Sequence, residues 1–389
     1  MDFQTIKEGD AAYIADTYRR FPVALVSGKG ATLTDEAGKN YIDFGSGIAV
    51  NTFGVHDEAW IQAVTEQLGA IQHASNLYYT LPQIRLAELL TERTGAKKVF
   101  FGNSGAEANE CAIKVARKYS FDKYGEGRHE IVTLKRSFHG RTIATLSATG
   151  QDGFHRYFGP FLDGFVYAEP TMKGIIESVS DKTCAVMIEL IQGESGVNAL
   201  DGEFVQLLSS YCRERDILLI VDEVQTGNGR TGRLYAHQYY GVMPDIMTTA
   251  KGLAGGLPLG ACLLFDKAAK TLTPGTHGST FGGNPVACAG AVSILERLTD
   301  ELLLEVQGKS AYLKTHLSRI RGVEKVTGLG FMIGLSLKEK KATEVASKCL
   351  EKGLLVLTAH EKIRLLPPLN ITKDEIDEGL KILNEVIEA

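Results

Sequence analysis

Three short stretches of this chain carry residue types that do chemistry. Asn103-Ser-Gly-Ala-Glu107 places a glycine turn at the start of a helical pattern. Backbone N–H groups and the positive end of the helix dipole at such a turn favour an anion such as phosphate, and Ser104 adds a hydroxyl donor. Asp222 heads Asp222-Glu-Val-Gln225 at the end of a nearly pure apolar run, where a carboxylate is costly unless a cation meets it. Lys251 follows Ile246–Ala250 and precedes the glycine-rich Gly252–Gly260. A partly desolvated amine there has a lowered pKa and acts as a nucleophile. Each stretch also has an ordinary reading: an N-cap serine in a βα loop, an aspartate held by backbone N–H groups, a lysine on the surface.

The elements that must position these residues alternate. Val99–Phe101, Ile131–Leu134, Ala185–Leu190, Ile217–Val221, Ile246–Ala250 and Ala261–Phe265 read as strands. Ile217–Val221 suits a central parallel strand covered on both faces. After Gly105, Ala108, Cys111, Ala112, Val115, Ala116 and Tyr119 follow the spacing of one buried helix face. Strands alternating with helices predict a largely parallel α/β sheet, and such sheets hold ligands at the carboxyl ends of their strands. All three stretches lie at such ends. A phosphate site, a buried carboxylate and a strand-end amine are what pyridoxal phosphate needs for its phosphate, ring nitrogen and aldehyde.

Beyond about residue 275 the pattern changes. Thr271–Phe281 reads as loop, and long helical patterns run to about residue 320. Strands at Phe331–Leu337, Leu354–Thr358 and Ile363–Leu366 precede a last helix, opened by a Thr372…Glu375 capping box and burying Ile376, Leu380, Leu383 and Ile387. This predicts a small α+β domain over 281–389 beside a large cofactor-binding domain over 46–280. Residues 1–45 pack with the small one through a hairpin around Glu36-Ala-Gly-Lys39. Length supports more than one core. Net charge is −5, so bulk charge gives no reason to expect nucleic acid or an anionic membrane as partner. No apolar run reaches membrane-spanning length, and the first residues show no signal-peptide pattern, so a cytoplasmic location is expected. The six scattered cysteines read as reduced structural thiols, with no metal site.

At this point the sequence resembles the class III aminotransferases, the ornithine and acetylornithine group, over nearly its whole length. The resemblance rests on Val221-Asp-Glu-Val-Gln-Thr-Gly-Asn-Gly-Arg-Thr-Gly232, on Lys251 lying 29 residues beyond Asp222, on Phe138-His-Gly-Arg-Thr142, on Ile188-Glu-Leu-Ile-Gln-Gly-Glu194 and on Gly278-Ser-Thr-Phe-Gly-Gly-Asn-Pro285. It implies the type I fold of pyridoxal-phosphate-dependent transferases, with a mostly parallel seven-stranded sheet in the large domain. By position, Lys251 is the Schiff-base lysine and proton carrier, and Asp222 keeps the ring nitrogen protonated. Gln225 meets the ring hydroxyl, Phe138 stacks on the ring, and Ser104, Gly105 and Ala106 bind the phosphate. Glu223 and Val224 flank the cofactor. Thr280 reaches the phosphate of a neighbouring subunit, which implies a homodimer with shared active sites.

Substrate residues follow from the same resemblance. Arg141 grips a carboxylate through a planar bidentate pair. Arg364 is a second carboxylate site, masked by Glu194 when the amino donor binds and released for glutamate or 2-oxoglutarate. Tyr18 and Ser279 complete the substrate set. Ile48 stands where ornithine δ-aminotransferases tend to carry tyrosine, leaving room for an acylated α-amino group. The implied reaction moves the δ-amino group of N2-acetylornithine to 2-oxoglutarate, in arginine biosynthesis. The sequence departs from the family at Gly54-Val-His-Asp-Glu58, where Gly-His-x-His-Pro is common, and at Leu190, in place of a proline. Ornithine or 4-aminobutyrate aminotransferase, glutamate-1-semialdehyde aminomutase and a non-catalytic cofactor-binding protein are the competing readings.

Overall fold

The apolar run before Asp222 forms the middle of the largest sheet. The computed structural model describes all 389 residues. In chain order, β1 (Leu25–Lys29), β2 (Thr32–Asp35) and β3 (Asn40–Asp43) come first. Then follow β4 (Lys98–Gly102), β5 (Glu130–Leu134), β6 (Phe165–Ala168), β7 (Thr183–Glu189), β8 (Ile191–Gln192), β9 (Asn198–Ala199), β10 (Leu218–Asp222), β11 (Ile246–Thr249) and β12 (Gly260–Leu264). The last are β13 (Val323–Leu329), β14 (Met332–Leu337), β15 (Leu354–Leu355), β16 (Leu357–Ala359) and β17 (Lys362–Leu365).

Seven strands pair in the order β4-β12-β11-β10-β7-β5-β6, and only β12 runs against its neighbours. This is the mostly parallel α/β sheet expected. Every residue of β10 is buried. Leu219 and Val221 pack with Phe204, Val205 and Leu208 of the helix Gly202–Glu214, while Leu218 and Ile220 pack with Cys111, Ala112 and Val115 of the helix Gly105–Tyr124. A strand covered on both faces has no polar side to show, which is why its sequence does not alternate. The register sets Glu189 of β7 and Thr248 of β11 on either side of Asp222. One row of polar side chains therefore crosses three adjacent strand ends.

The second sheet, β13-β14-β17-β16, is antiparallel throughout. The third joins the N-terminal β1-β2-β3 to β15, with Leu354 opposite Ile42. The single strand expected over Leu354–Thr358 is thus two. The chain leaves one sheet at Leu355 and enters another at Leu357, turning on buried Val356. β6 and β13 were not legible as strands: β6 has four residues with only Ala168 buried, and β13 carries exposed Glu324 and Lys325. The last helix, Lys373–Glu388, has the capping box at Thr372 and Glu375 and buries Ile376, Leu380, Leu383 and Ile387. No helix is long and apolar enough to cross a membrane. All six cysteines are free and buried.

Candidate active site

A cleft of about 420 Å³ opens at the carboxyl ends of β7, β10 and β11. Ser104, Gly105, Ala106, Phe138, Arg141, Glu189, Asp222, Val224, Gln225 and Lys251 all line it. The three stretches that chemistry singled out, far apart in sequence, meet here.

Lys251 stands just past β11 with φ +48, a left-handed conformation that a residue with a side chain adopts at a cost. Its neighbours hold it there. Asn228 donates to Thr249 Oγ1 and to the Ala250 carbonyl, both at 3.1 Å, and Thr52 donates to the Gly252 carbonyl at 2.7 Å. Burial lowers the pKa of the Lys251 amine; the charges of Glu194, Asp222 and Glu189 oppose this, and Arg364 adds to it. More of the amine is therefore unprotonated near neutral pH.

Asp222 is 4% exposed, yet its oxygens are well provided for. Oδ2 accepts from Asn109 Nδ2 and from His139 Nδ1, each at 2.8 Å, and Oδ1 accepts from the Val224 N–H at 3.0 Å. Beside it, Glu189 accepts from the Phe138 N–H at 2.8 Å. Burial, and then the charge of Asp222, push the Glu189 carboxyl well above its ordinary range. Glu189 therefore pins the backbone of the residue whose ring faces the cleft.

At the other end, the helix Gly105–Tyr124 begins with Ser104 as its N-cap, accepting from the Glu107 N–H at 3.1 Å. Glu107 folds back to accept from Asn103 Nδ2 at 2.8 Å. The Gly105 and Ala106 N–H groups, at the first two helical positions, have no acceptor within the helix and face an anion site. Two glycines make the close approach possible. A Cβ on Gly105 would stand 2.7 Å from Val224, and one on Gly260 would stand 2.1 Å from the Ser104 carbonyl oxygen.

Arg141 lies over the ring of Phe154 at 4.2 Å and near Phe138 at 5.6 Å, with no acidic partner in the chain. Arg364, 3% exposed on β17, bonds Glu194 at 2.6 Å and Gln225 at 3.4 Å through the same nitrogen. Its buried Nε has no partner. Burial would raise the Glu194 pKa, but the Arg364 charge and hydrogen bond bring it below its ordinary value.

Four expected residues lie elsewhere. Glu223 turns away from the cleft, because successive side chains at a strand end point to opposite sides. Its carboxylate instead accepts from Thr226 and from the N–H groups of Ala236 at 2.9 Å and His237 at 2.7 Å, which ties down the loop after β10. Tyr18 is 70% exposed and sits with Arg20 beside the N-terminal helix Phe3–Tyr13, outside the cleft of its own chain. Ser279 is held by Asn103 at 3.2 Å, and Thr280 is exposed; neither lines the cleft. The sequence reading missed Asn109, His139, Glu189 and Asn228. His139 lies within Phe138–Thr142 and Glu189 within Ile188–Glu194, and strand register places Glu189 beside Asp222.

The residues present fit pyridoxal phosphate on an observation independent of any relative. The Lys251 amine, its pKa lowered by burial, shares one cleft with a helix N-terminus whose first N–H groups are free and with a carboxylate that keeps an open acceptor position. Comparison with known proteins agrees. The model of the family described as aminotransferase class-III matches residues 13–387. An acetylornithine aminotransferase of Haemophilus ducreyi is 49% identical over 390 residues, covering 100% of this chain and 99% of that protein. Another from Caldanaerobacter subterraneus is 46% identical, covering 96% and 97%. Among solved structures, an ornithine aminotransferase of Toxoplasma gondii superposes with TM-score 0.95 at 30% identity, covering 100% of this chain and 95% of that one. An acetylornithine aminotransferase of Elizabethkingia anophelis does so with TM-score 0.89 at 30% identity, covering 100% and 99%. The chain belongs to the class III aminotransferases, enzymes that depend on pyridoxal phosphate to move amino groups.

Proposed function

We propose that this transaminase moves the δ-amino group of N2-acetyl-L-ornithine to 2-oxoglutarate, giving N-acetylglutamate 5-semialdehyde and glutamate, a reversible step of arginine biosynthesis. The observation that carries the donor assignment is full-length similarity, at 42% to 49% identity, to relatives named for that substrate. The pocket edge agrees. Residues 46–49 all have positive φ, and this left-handed turn presents Ile48, 40% exposed, next to cleft-lining Val50. An aliphatic side chain there leaves space for an acyl group. Ornithine itself is the second reading, favoured by the superposition on the Toxoplasma enzyme.

Pyridoxal phosphate, when bound, supplies an electron sink for the charge that develops at the reacting carbon of the substrate. The chain's residues do the rest. Ser104 and the N–H groups of Gly105 and Ala106 hold the phosphate. Asp222 would hold the proton at the ring nitrogen, Gln225 would meet the ring hydroxyl, and Phe138 would cover the ring. Lys251 would hold the aldehyde end and would carry a proton at its Nζ. Arg141 orients a substrate carboxylate. Arg364 takes the second carboxylate of glutamate or 2-oxoglutarate once Glu194 lets go of it.

The working unit in this reading is a homodimer. Thr280 stands exposed beside Phe281, 60% exposed, and close to Leu77, Tyr79 and Leu81, which are 87%, 96% and 84% exposed. Asn76 ties the two segments together by donating to Ser279 and Gly282 carbonyls at 3.0 and 2.9 Å. So large an apolar surface suits a protein interface, and a second copy docked there would bring its Thr280 to the phosphate site.

A half-reaction screen tests the substrate. Acetylornithine, ornithine, succinyl-diaminopimelate and 4-aminobutyrate are each mixed with the aldehyde form of the enzyme. Acetylornithine is expected to convert it with the largest kcat/KM, and a clear preference for 4-aminobutyrate would refute the assignment. Borohydride treatment of the holoenzyme should fix the cofactor to the peptide containing Lys251.

A further inference from the structure

Among the groups that bond Asp222 is a fully buried asparagine. Asn109 sits on the helix Gly105–Tyr124 and is 1% exposed. Its Nδ2 donates twice, to Asp222 Oδ2 at 2.8 Å and to the His139 carbonyl at 2.7 Å. Its Oδ1 accepts from the Thr248 hydroxyl at 2.7 Å. The orientation of the amide is forced. Its nitrogen faces two groups that can only accept, so the oxygen must face Thr248, and Thr248 must donate. His139 is forced likewise: its Nδ1 carries the hydrogen it gives to Asp222, while its buried Nε2 has no partner.

Lone pairs then decide the rest. A carboxylate offers about four acceptor positions, two on each oxygen. On Asp222, Asn109 and His139 occupy both positions of Oδ2, and the Val224 N–H occupies one of Oδ1. A single position remains, on Oδ1. We propose that Asn109, anchored by Thr248, is a positioning residue of this site: with His139 it saturates Oδ2, so that Oδ1 of Asp222 receives the N–H of the cofactor ring. This rests on the placement of the ring nitrogen against Asp222 proposed above. Donors on Oδ2 also stabilise the charged carboxylate, so the proton shared with the ring stays on nitrogen. Losing Asn109 frees a lone pair on Oδ2 and lets the proton move toward the carboxylate.

The test uses holoenzyme carrying pyridoxal phosphate labelled with 15N at the ring. In wild type the nitrogen signal should lie on the pyridinium side. In Asn109→Ala it should move toward the free-base position, cofactor release should become about tenfold easier, and kcat should fall by about tenfold with donor KM within about twofold, the scale of one hydrogen bond to a charged group. Thr248→Val, which keeps both Asn109 and the local volume, should shift the signal the same way by less. Thr248→Ser, which restores the hydroxyl, should return it to the wild-type position. If Asn109→Ala fails to fold, the Val/Ser pair at 248 decides alone. Unmoved signals in the Asn109 and Thr248 variants, or a holoenzyme crystal structure with the ring nitrogen nearer Oδ2 than Oδ1, would overturn the proposal. Asp222→Asn separates the two layers. If it too leaves the signal unmoved, the placement of the ring is wrong; if it alone moves the signal, only the role of Asn109 fails.

Discussion

Lys251→Ala is expected to lower kcat by at least about 10⁴-fold, the scale of losing a positioned proton carrier that is also the nucleophile. The structure gives the reasons. The amine sits in the cleft with its pKa lowered by burial, among Glu189, Glu194, Asp222 and Arg364. No other lysine lines that cleft, so nothing in the chain replaces it. The anion site at Gly105–Ala106 and the carboxylate of Asp222 are untouched by the change, so the variant should still bind cofactor without a covalent link. Absorption spectroscopy and single-turnover kinetics check both halves. Turnover like wild type would refute the assignment of Lys251, and loss of cofactor without loss of fold would mean that the covalent link supplies most of its retention.

Arg364→Ala should raise KM for 2-oxoglutarate by about 10²-fold and affect the amino-donor half-reaction far less. Two charge-assisted hydrogen bonds at about 1.5 kcal/mol each amount to about 3 kcal/mol, or about 10²-fold. The guanidinium is suited to this exchange. One nitrogen is engaged by Glu194 and Gln225, while buried Nε has no partner and is ready to donate. Glu194→Ala should give the opposite pattern. The oxo acid would no longer compete with Glu194 for Arg364, so its KM should hold or fall, while the donor half-reaction suffers from an unmasked charge. Half-reactions followed separately by stopped flow distinguish the two variants, and equal damage to both halves in Arg364→Ala would refute the masking picture.

Much of this site was legible in the sequence because costly residues were placed at strand ends. Asp222 ends an apolar strand and Lys251 follows another buried one, and the register of β10 and β11 makes such ends neighbours. Glu223 shows that adjacency in sequence is not adjacency in space: one step along the strand end reverses the side chain, and the Glu223 carboxylate ties down the loop that leads to His237. Asn109 was invisible for a different reason. An asparagine inside a helix is unremarkable by propensity, and its partners at 139, 222 and 248 lie 30, 113 and 139 residues away. Only the meeting of helix, strand ends and loop gives it meaning. One departure from the family has a structural role: Leu190 is fully buried and its carbonyl accepts from Tyr240 at 3.2 Å.

The six cysteines have a practical consequence. Each is buried, in the helix packed under the large sheet, in the sheet itself, or in the helices around it and around the smaller sheets. The folded chain therefore turns no thiol toward solvent on any face. A cysteine introduced at an exposed position would be the one thiol within reach of a dye, a spin label or a crosslinker, and the native sequence needs no prior removal of cysteines for single-site attachment.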